Sequence, residues 1–347
     1  MYFRKHYNII GREIIYNHHS TLANHTISLI IYFIFFLLPA TTTGCSDNAP
    51  TEGSSICTIS HCKNAGVYSA QGSALDILIF EDDRLRRLDA YMRIEDYVSG
   101  IVIPSSTGGE KIYFICINSG KDKYGWADIC SYSSLGKITF DLENEDRDAL
   151  VMTGEHRGIA GIDIETLSLK PIASSVQIGS LRCDLSGTPY AGKRIKDVRA
   201  YLTNVNATCS LTGVPSKGQT RLINQEMLCE YDLKYFKDRT LIVQEIAAEL
   251  GKTAHRTEKS FLCYPNYGDR TRSTRLVIEG KIEGNVYYWP IEICPDEGIG
   301  RNMSYNLGIT IRRRGTTDPN CLVDPTAVDL NLKTKPWMEK EEYQIRF

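Results

Sequence analysis

The sequence predicts a mainly β protein of sandwich type, arranged as two tandem units with one or two short helices. Three observations carry this. Many short segments alternate apolar and polar residues, as strands with one solvated face require. Clusters of Gly, Asn, Asp and Ser separate them. Setting aside an export leader leaves about 300 residues, enough for two domains of ordinary size.

The leader comes first. Arg4, Lys5 and Arg12 precede an apolar run, Ile27 to Leu38, and Pro39 closes it. Positive, then apolar, then small is the order of an export signal. The run is shorter than the roughly 20 residues a membrane-spanning helix needs. It ends in Thr41-Thr42-Thr43-Gly44-Cys45. Gly44-Cys45 fits a bacterial lipobox, although Thr42 stands where an apolar residue is usual. Two readings are open: acylation (palmitate or similar chains) at Cys45, or an ordinary signal peptide with a nearby cysteine. Two or three acyl chains would hold the protein firmly on a membrane. The division is therefore a lipoprotein signal over 1–44, a flexible tether over 45–55, and β-sandwich domains over 56–170 and 171–347. The tether is small and polar, with Pro50 and Gly53.

The elements follow in order. Leu75 to Phe80 reads as a strand that ends at the acidic turn Glu81-Asp82-Asp83. Lys111 to Ile117 is nearly continuous apolar sequence, as expected of a strand covered on both faces. It stops at Asn118-Ser119-Gly120. Ile138 to Leu142 alternates, and a loop around Gly154 to Gly161 ends the first unit. The second unit starts near Pro171, with strands at Val176–Ile178 and Val198–Leu202. Thr240 to Leu250 reads as a helix, because Leu241, Ile242, Ile246 and Leu250 fall at helical spacing and Gly251 follows as a C-cap. Thr274–Gly280 and Asn285–Ile293 read as a hairpin around Glu283-Gly284-Asn285. Leu307, Ile309 and Ile311 share one face of a strand. Val328, Leu330 and Leu332 share one face of the next, with Asp329, Asn331 and Lys333 opposite.

Composition excludes several functions. Charged residues are 24% of the chain and the formal net charge is −2, so no bulk field recruits nucleic acid or anionic lipid. The basic groups Arg270, Arg272 and Arg275, and Arg312-Arg313-Arg314, read as solvated strand ends and turns. The chain has 11 cysteines, an even number once Cys45 is set aside. Spacing does not give a pairing. Cys57 and Cys62 are close enough to close a small loop, whereas Cys116, Cys183, Cys263 and Cys294 lie in or beside apolar strands and read as small hydrophobes. There is no C-x-x-C pair and no histidine pair at metal spacing, so no metal is expected. His61, His156 and His255 read as surface or loop histidines. A nucleophile elbow, a P-loop and a dinucleotide fingerprint are all missing from the sequence. No catalytic residue and no cofactor is expected. Glu143, Glu145 and Asp146 cluster at a strand end and read as a solvated turn. Tyr287-Tyr288-Trp289 offers a sugar-stacking platform, although strand alternation puts at least one of these rings in the core. That platform keeps a second function class open, a surface lipoprotein that binds or processes glycans.

Beyond single elements, the order of several motifs is informative. Leu75–Phe80 is followed by Leu88-Asp89-Ala90-Tyr91, then Val151-Met152-Thr153-Gly154-Glu155. Next come Tyr201-Leu202-Thr203-Asn204-Val205, Phe261-Leu262-Cys263-Tyr264-Pro265-Asn266 and Tyr287-Tyr288-Trp289-Pro290-Ile291. Arg301-Asn302-x-x-Tyr305 runs into a strand and a Gly315 turn, and Pro336-Trp337 lies near the end. With these motifs the chain resembles the lipoprotein-derived type V pilins of Bacteroidetes and their anchor and minor-subunit relatives. The resemblance implies two β-sandwich domains of transthyretin-like topology, export as a lipoprotein, and residence in a fimbria at the outer membrane and cell surface. Its implied partners are other fimbrial subunits, the outer membrane through the lipid, and a host or bacterial surface receptor. In polymerising members a trypsin-like protease removes the first strand after Arg or Lys, and a neighbour's C-terminal strand fills the groove. On this chain the removable strand would be Ile56 to Cys62 with cleavage after Lys63, the only Lys or Arg between Cys45 and Leu75. The other reading of Lys63 is an uncut loop charge in an anchor subunit. Tyr343, Ile345 and Phe347 alternate to the last residue, either as a donor strand or as the last strand of the second sandwich.

Overall fold

The computed structural model describes residues 54–61, 74–95, 101–104, 108–121, 123–162, 164–213, 221–267 and 272–337. All of them belong to one compact unit, Thr51–Phe347. The protein is mainly β, in several sheets.

Chain order begins with β1 (Ser54–His61), β2 (Leu75–Glu81), β3 (Leu88–Ile94), β4 (Ile101–Pro104) and β5 (Glu110–Ile117). Next are β6 (Thr139–Asp141), β7 (Met152–Ile159) and β8 (Ile164–Pro171). Seven of these, all but β6, make one sheet in the order β3-β2-β5-β7-β8-β1-β4. Within it, β2 and β5 are buried on both faces, from Leu75 to Phe80 and from Lys111 to Ile117. This matches the continuous apolar runs. The sheet turns a corner where β7 meets β8, because these strands pair only at Met152–Pro171 and Thr153–Lys170. Gly154 permits the turn: a Cβ there would lie 2.6 Å from both Leu167 Cδ2 and Ser168 O.

The remaining strands are β9 (Ser174–Cys183), β10 (Ile195–Thr203), β11 (Val205–Asn206), β12 (Thr208–Ser210) and β13 (Leu222–Ile223). A one-turn helix α1 (Glu230–Leu233) precedes β14 (Val243–Leu250), β15 (Phe261–Cys263), β16 (Arg275–Ile282), β17 (Asn285–Glu292), β18 (Met303–Ile311) and β19 (Val328–Pro336). Two four-stranded sheets result, β14-β10-β16-β17 and β15-β9-β18-β19. Their buried residues join one core: Val198, Ala200, Leu202, Leu276 and Ile278 from the first, Val176, Ile178, Leu307, Ile309 and Ile311 from the second. β16 and β17 pair from Arg275–Glu292 to Ile282–Asn285, so the hairpin turns at Glu283-Gly284 as its sequence indicates. The expected β19 face forms, but it is only half covered, with Leu330 43% exposed.

Two expectations are corrected. The segment predicted as a helix from Thr240 to Leu250 is a short 3-10 turn, Arg239–Leu241, followed by the strand β14. The edge of β10 supplies backbone partners from Tyr201–Val243 to Ile195–Leu250, and this ladder outweighs a helical spacing that the sequence shares with both states. Gly251 caps no helix; its carbonyl accepts from Cys183 N at 2.7 Å. The region around Gly154 to Gly161, expected as a loop, is β7 as far as Ile159, paired with β5 from Ile117–Met152 to Glu110–Ile159. Its glycines look like breakers in sequence, yet Gly154 is there for the close crossing of β8.

Candidate assembly site

The strand expected to be removable exists. β1 enters the first sheet between β8, to which it runs parallel, and β4, to which it runs antiparallel. Ser54 to Cys57 pair with Pro104 to Ile101 of β4, and Cys57 to His61 pair with Ile164 to Leu169 of β8, across a bulge. Among the described residues, β4 joins the sheet through β1. Taking β1 away would leave two unpaired edges, beside the buried Leu167 and Leu169 of β8. Unpaired edges of this kind template strand addition.

The other residues singled out by sequence lie outside the described residues: Cys45, Lys63, Tyr343, Ile345 and Phe347.

The structure assembles a junction that the sequence did not reveal. β6 pairs with β12, Phe140 opposite Cys209, and so ties the early part of the chain to the late part. Beside it lies Arg301. Its Nε donates to Pro171 O at 3.0 Å and its Nη1 to Thr212 O at 3.3 Å. Nη2 donates to Lys170 O at 2.8 Å, Thr153 O at 3.1 Å and Thr153 Oγ1 at 2.5 Å. One guanidinium thus grips the β7–β8 corner, whose far strand carries β1. Burial lowers the Arg301 pKa from its usual value, but an arginine stays charged. Gly213 makes room for it: its φ is +73°, and a Cβ there would lie 2.3 Å from Arg301 Cδ.

Glu145 was expected in a solvated turn. Instead it is 5% exposed, with Oε1 accepting from Tyr264 Oη at 3.0 Å and Oε2 from Val151 N at 3.5 Å. Burial pushes its carboxyl up to about 7, against the lowering effect of those two hydrogen bonds. Burial also raises Tyr264, and Glu145 adds to that. Arg147 reaches across in the same region, donating to Ser260 O and to Thr240 Oγ1 at 3.2 Å. Arg301 and Tyr264 both stand in the ordered sequence motifs, but nothing local marks either as a junction residue. Arg275, read as a solvated strand end, is likewise buried, and its Nη1 donates to Asn320 O at 3.1 Å and Oδ1 at 3.0 Å.

The aromatic platform is dismantled. Trp289 is 0% exposed and its indole N–H donates to Arg313 O at 3.0 Å; Tyr287 is buried too. Tyr288 exchanges backbone hydrogen bonds with Thr316. The chain's own 313–316 segment thus lies against this strand. The described cysteines from Cys116 to Cys321 are free thiols, and among the described residues no His, Cys, Asp or Glu group is placed to hold a metal.

No family model matches the chain, and no curated protein matches it. Solved structures do. The fimbrilin FimA of Porphyromonas gingivalis superposes with a TM-score of 0.62 at 13% identity, covering 84% of this chain and 99% of that one. A candidate cell adhesion protein of Bacteroides eggerthii gives 0.59 at 18% identity, over 84% and 98%. A fimbrial assembly protein of Parabacteroides distasonis gives 0.50 at 9% identity, over 81% and 94%. The chain shares the fold of these proteins along nearly their whole length.

Proposed function

We propose that the chain is a non-enzymatic structural or adhesive subunit of a cell-surface fimbria, joined to its neighbours by β-strand donation. The place of β1 between β8 and β4 carries the reading. β1 joins β4 to the rest of the sheet, so its removal would open two edges to a donated strand. The fold shared with a fimbrilin and a fimbrial assembly protein supports the same conclusion. In this reading the chain is exported as a lipoprotein acylated at Cys45 and reaches the outer membrane. Cleavage after Lys63 releases β1 with the lipid, and the Tyr343, Ile345 and Phe347 strand of a neighbour takes its place. Retaining β1 makes an anchor or minor subunit; losing it makes a shaft subunit. In this reading the domain boundary falls at 170/171, at the end of β8, with Arg301 and the β6–β12 pair bridging it. Partners are other subunits and a surface receptor.

Mass spectrometry of surface-exposed protein from the native host tests this in one measurement. The expected result is an acylated Cys45 peptide in the uncut form or a new N-terminus at Asn64 in the cut form. A second test adds a peptide of Tyr343–Phe347 with its preceding residues to protein cut after Lys63. Failure of the cut protein to bind that peptide, or to assemble with a second copy, refutes strand donation.

A further inference from the structure

Lys111 sits near the start of β5 with its side chain 0% exposed, between two carboxylates. Its Nζ lies 2.9 Å from Glu81 Oε1 and 3.0 Å from Asp89 Oδ2. Glu81 is its direct cross-strand partner at the end of β2. Asp89 comes from β3, one strand further out. The β2–β3 register runs from Ile79–Ala90 to Phe80–Leu88 and skips Asp89. A bulge re-aims a side chain. This one brings the Asp89 carboxylate, 4% exposed, to an amine two strands away. A buried ion cluster of this kind gains little, because desolvation offsets the attraction. Fixed contact between an amine and a carboxyl, away from water, has another outlet.

We propose that Lys111 and Asp89 condense to an intramolecular isopeptide bond, with Glu81 carrying the proton between them. Glu81 takes a proton from the Lys111 ammonium and passes it to an Asp89 oxygen. The freed amine attacks Asp89 Cγ, and the Nζ–Cγ bond forms. Glu81 then takes a second proton from the nitrogen and delivers it to the departing oxygen. The Cγ–Oδ bond breaks and water leaves. Of the three ammonium hydrogens, two leave in the water and one stays on the amide nitrogen. Glu81 ends as the carboxylate it began, and no oxidant or other co-reactant is consumed. Fixed proximity supplies what activation of the acid supplies in solution, the positioned carboxylate supplies acid–base catalysis, and exclusion of water slows the reverse hydrolysis. Burial pulls the Lys111 pKa down, but hydrogen bonds to Glu81 and Asp89 outweigh it and hold the pKa above the ordinary lysine value. The amine is therefore released only as a neighbour accepts its proton, which is why the site needs a second carboxylate. The product ties the edge strand β3 to the interior strand β5 across β2, independently of what happens at β1.

A tryptic digest of the folded full chain, denatured and analysed by mass spectrometry, decides the matter. The expected product is one branched species that joins Leu88–Arg93 to Ile94–Lys121, uncut at Lys111 and lighter than the two peptides together by one water. In Glu81→Gln the same peptides should be linear, with cleavage after Lys111. Linear peptides from folded wild-type protein would overturn the proposal whether or not the variant folds. An undiminished branched peptide in Glu81→Gln would overturn the assignment of Glu81 as proton carrier.

Discussion

Strands β1 and β18 each lie between a parallel neighbour and an antiparallel one. β18 is laddered on both sides together, to β19 over Met303–Ile311 and to β9 over Ser304–Ile311. Its Tyr305, Leu307, Ile309 and Ile311 are all buried. Among the described residues β1 pairs with β4 over Ser54–Cys57 and with β8 over Cys57–His61. In the proposed reading the role of β18 is permanent and that of β1 provisional. What separates them is the length of ladder, nine and eight residue pairs for β18 against four and four among the described residues of β1. Between them sits Arg301, which leads into β18 and grips the corner that carries β8.

The comparison breaks most completely at Arg301. Arg301→Met strips a charged donor from carbonyls of two strands and is expected to cost about 4 kcal/mol, measured by urea unfolding. A loss under about 1 kcal/mol would mean that water replaces the guanidinium, since a net hydrogen bond is worth that little. Ile309→Ala tests β18 by itself. A buried Ile-to-Ala change opens a cavity and should cost about 3 kcal/mol, lowering the global midpoint while the order of local openings stays as it was.

Glu145→Gln sharpens the contrast through pH. Burial holds the carboxyl of Glu145 at about 7 in the folded state, above the usual 4.5. Its protonated form is thus favoured by folding. The stability it contributes is fully present below pH 4.5 and is lost as the pH rises through 7, about 3 kcal/mol in all at ~1.4 kcal/mol per unit. The glutamine keeps an acceptor for Tyr264 and does not ionise. Wild type should therefore lose stability between pH 5 and 8, and the variant much less; equal slopes would remove Glu145 as the cause. The smallest expected effect is in β1 itself. Its amides should exchange hydrogen by a local opening at least about 2 kcal/mol below the global value, whereas those of β18 should exchange only with global unfolding. Equal protection of both strands would contradict the provisional character of β1.

Sequence periodicity located the strands well where tertiary contact agrees with it. β2, β5, the β16–β17 hairpin and the inner face of β18 all stand where alternation or continuous apolar sequence puts them. It failed where a neighbour decides. Leu241, Ile242, Ile246 and Leu250 suit a helix as well as a strand, and the free edge of β10 chose the strand. Gly154 and Gly158 look like loop formers until β8 is seen crossing at Gly154. At the site, a strand over Ile56 to Cys62 followed from the family resemblance rather than from periodicity, and β1 runs over Ser54–His61. Its neighbours β4 and β8 were not legible, since the pairing partners are some fifty to a hundred residues away. The buried state of Glu145 was equally invisible. A carboxylate near two other acids reads as solvated turn, and Tyr264, the group that closes over it, is 119 residues further on.

Ladder length also sets how the molecule would respond to force. Hydrogen bonds lie across a strand, so tension along it loads a ladder in shear and its bonds share the load. In β18 two ladders of nine and eight pairs would have to yield together. The described ladders of β1 have four pairs each. A subunit pulled through the chain before Ser54 would therefore give way at β1 first, while its β9–β19 body stays folded.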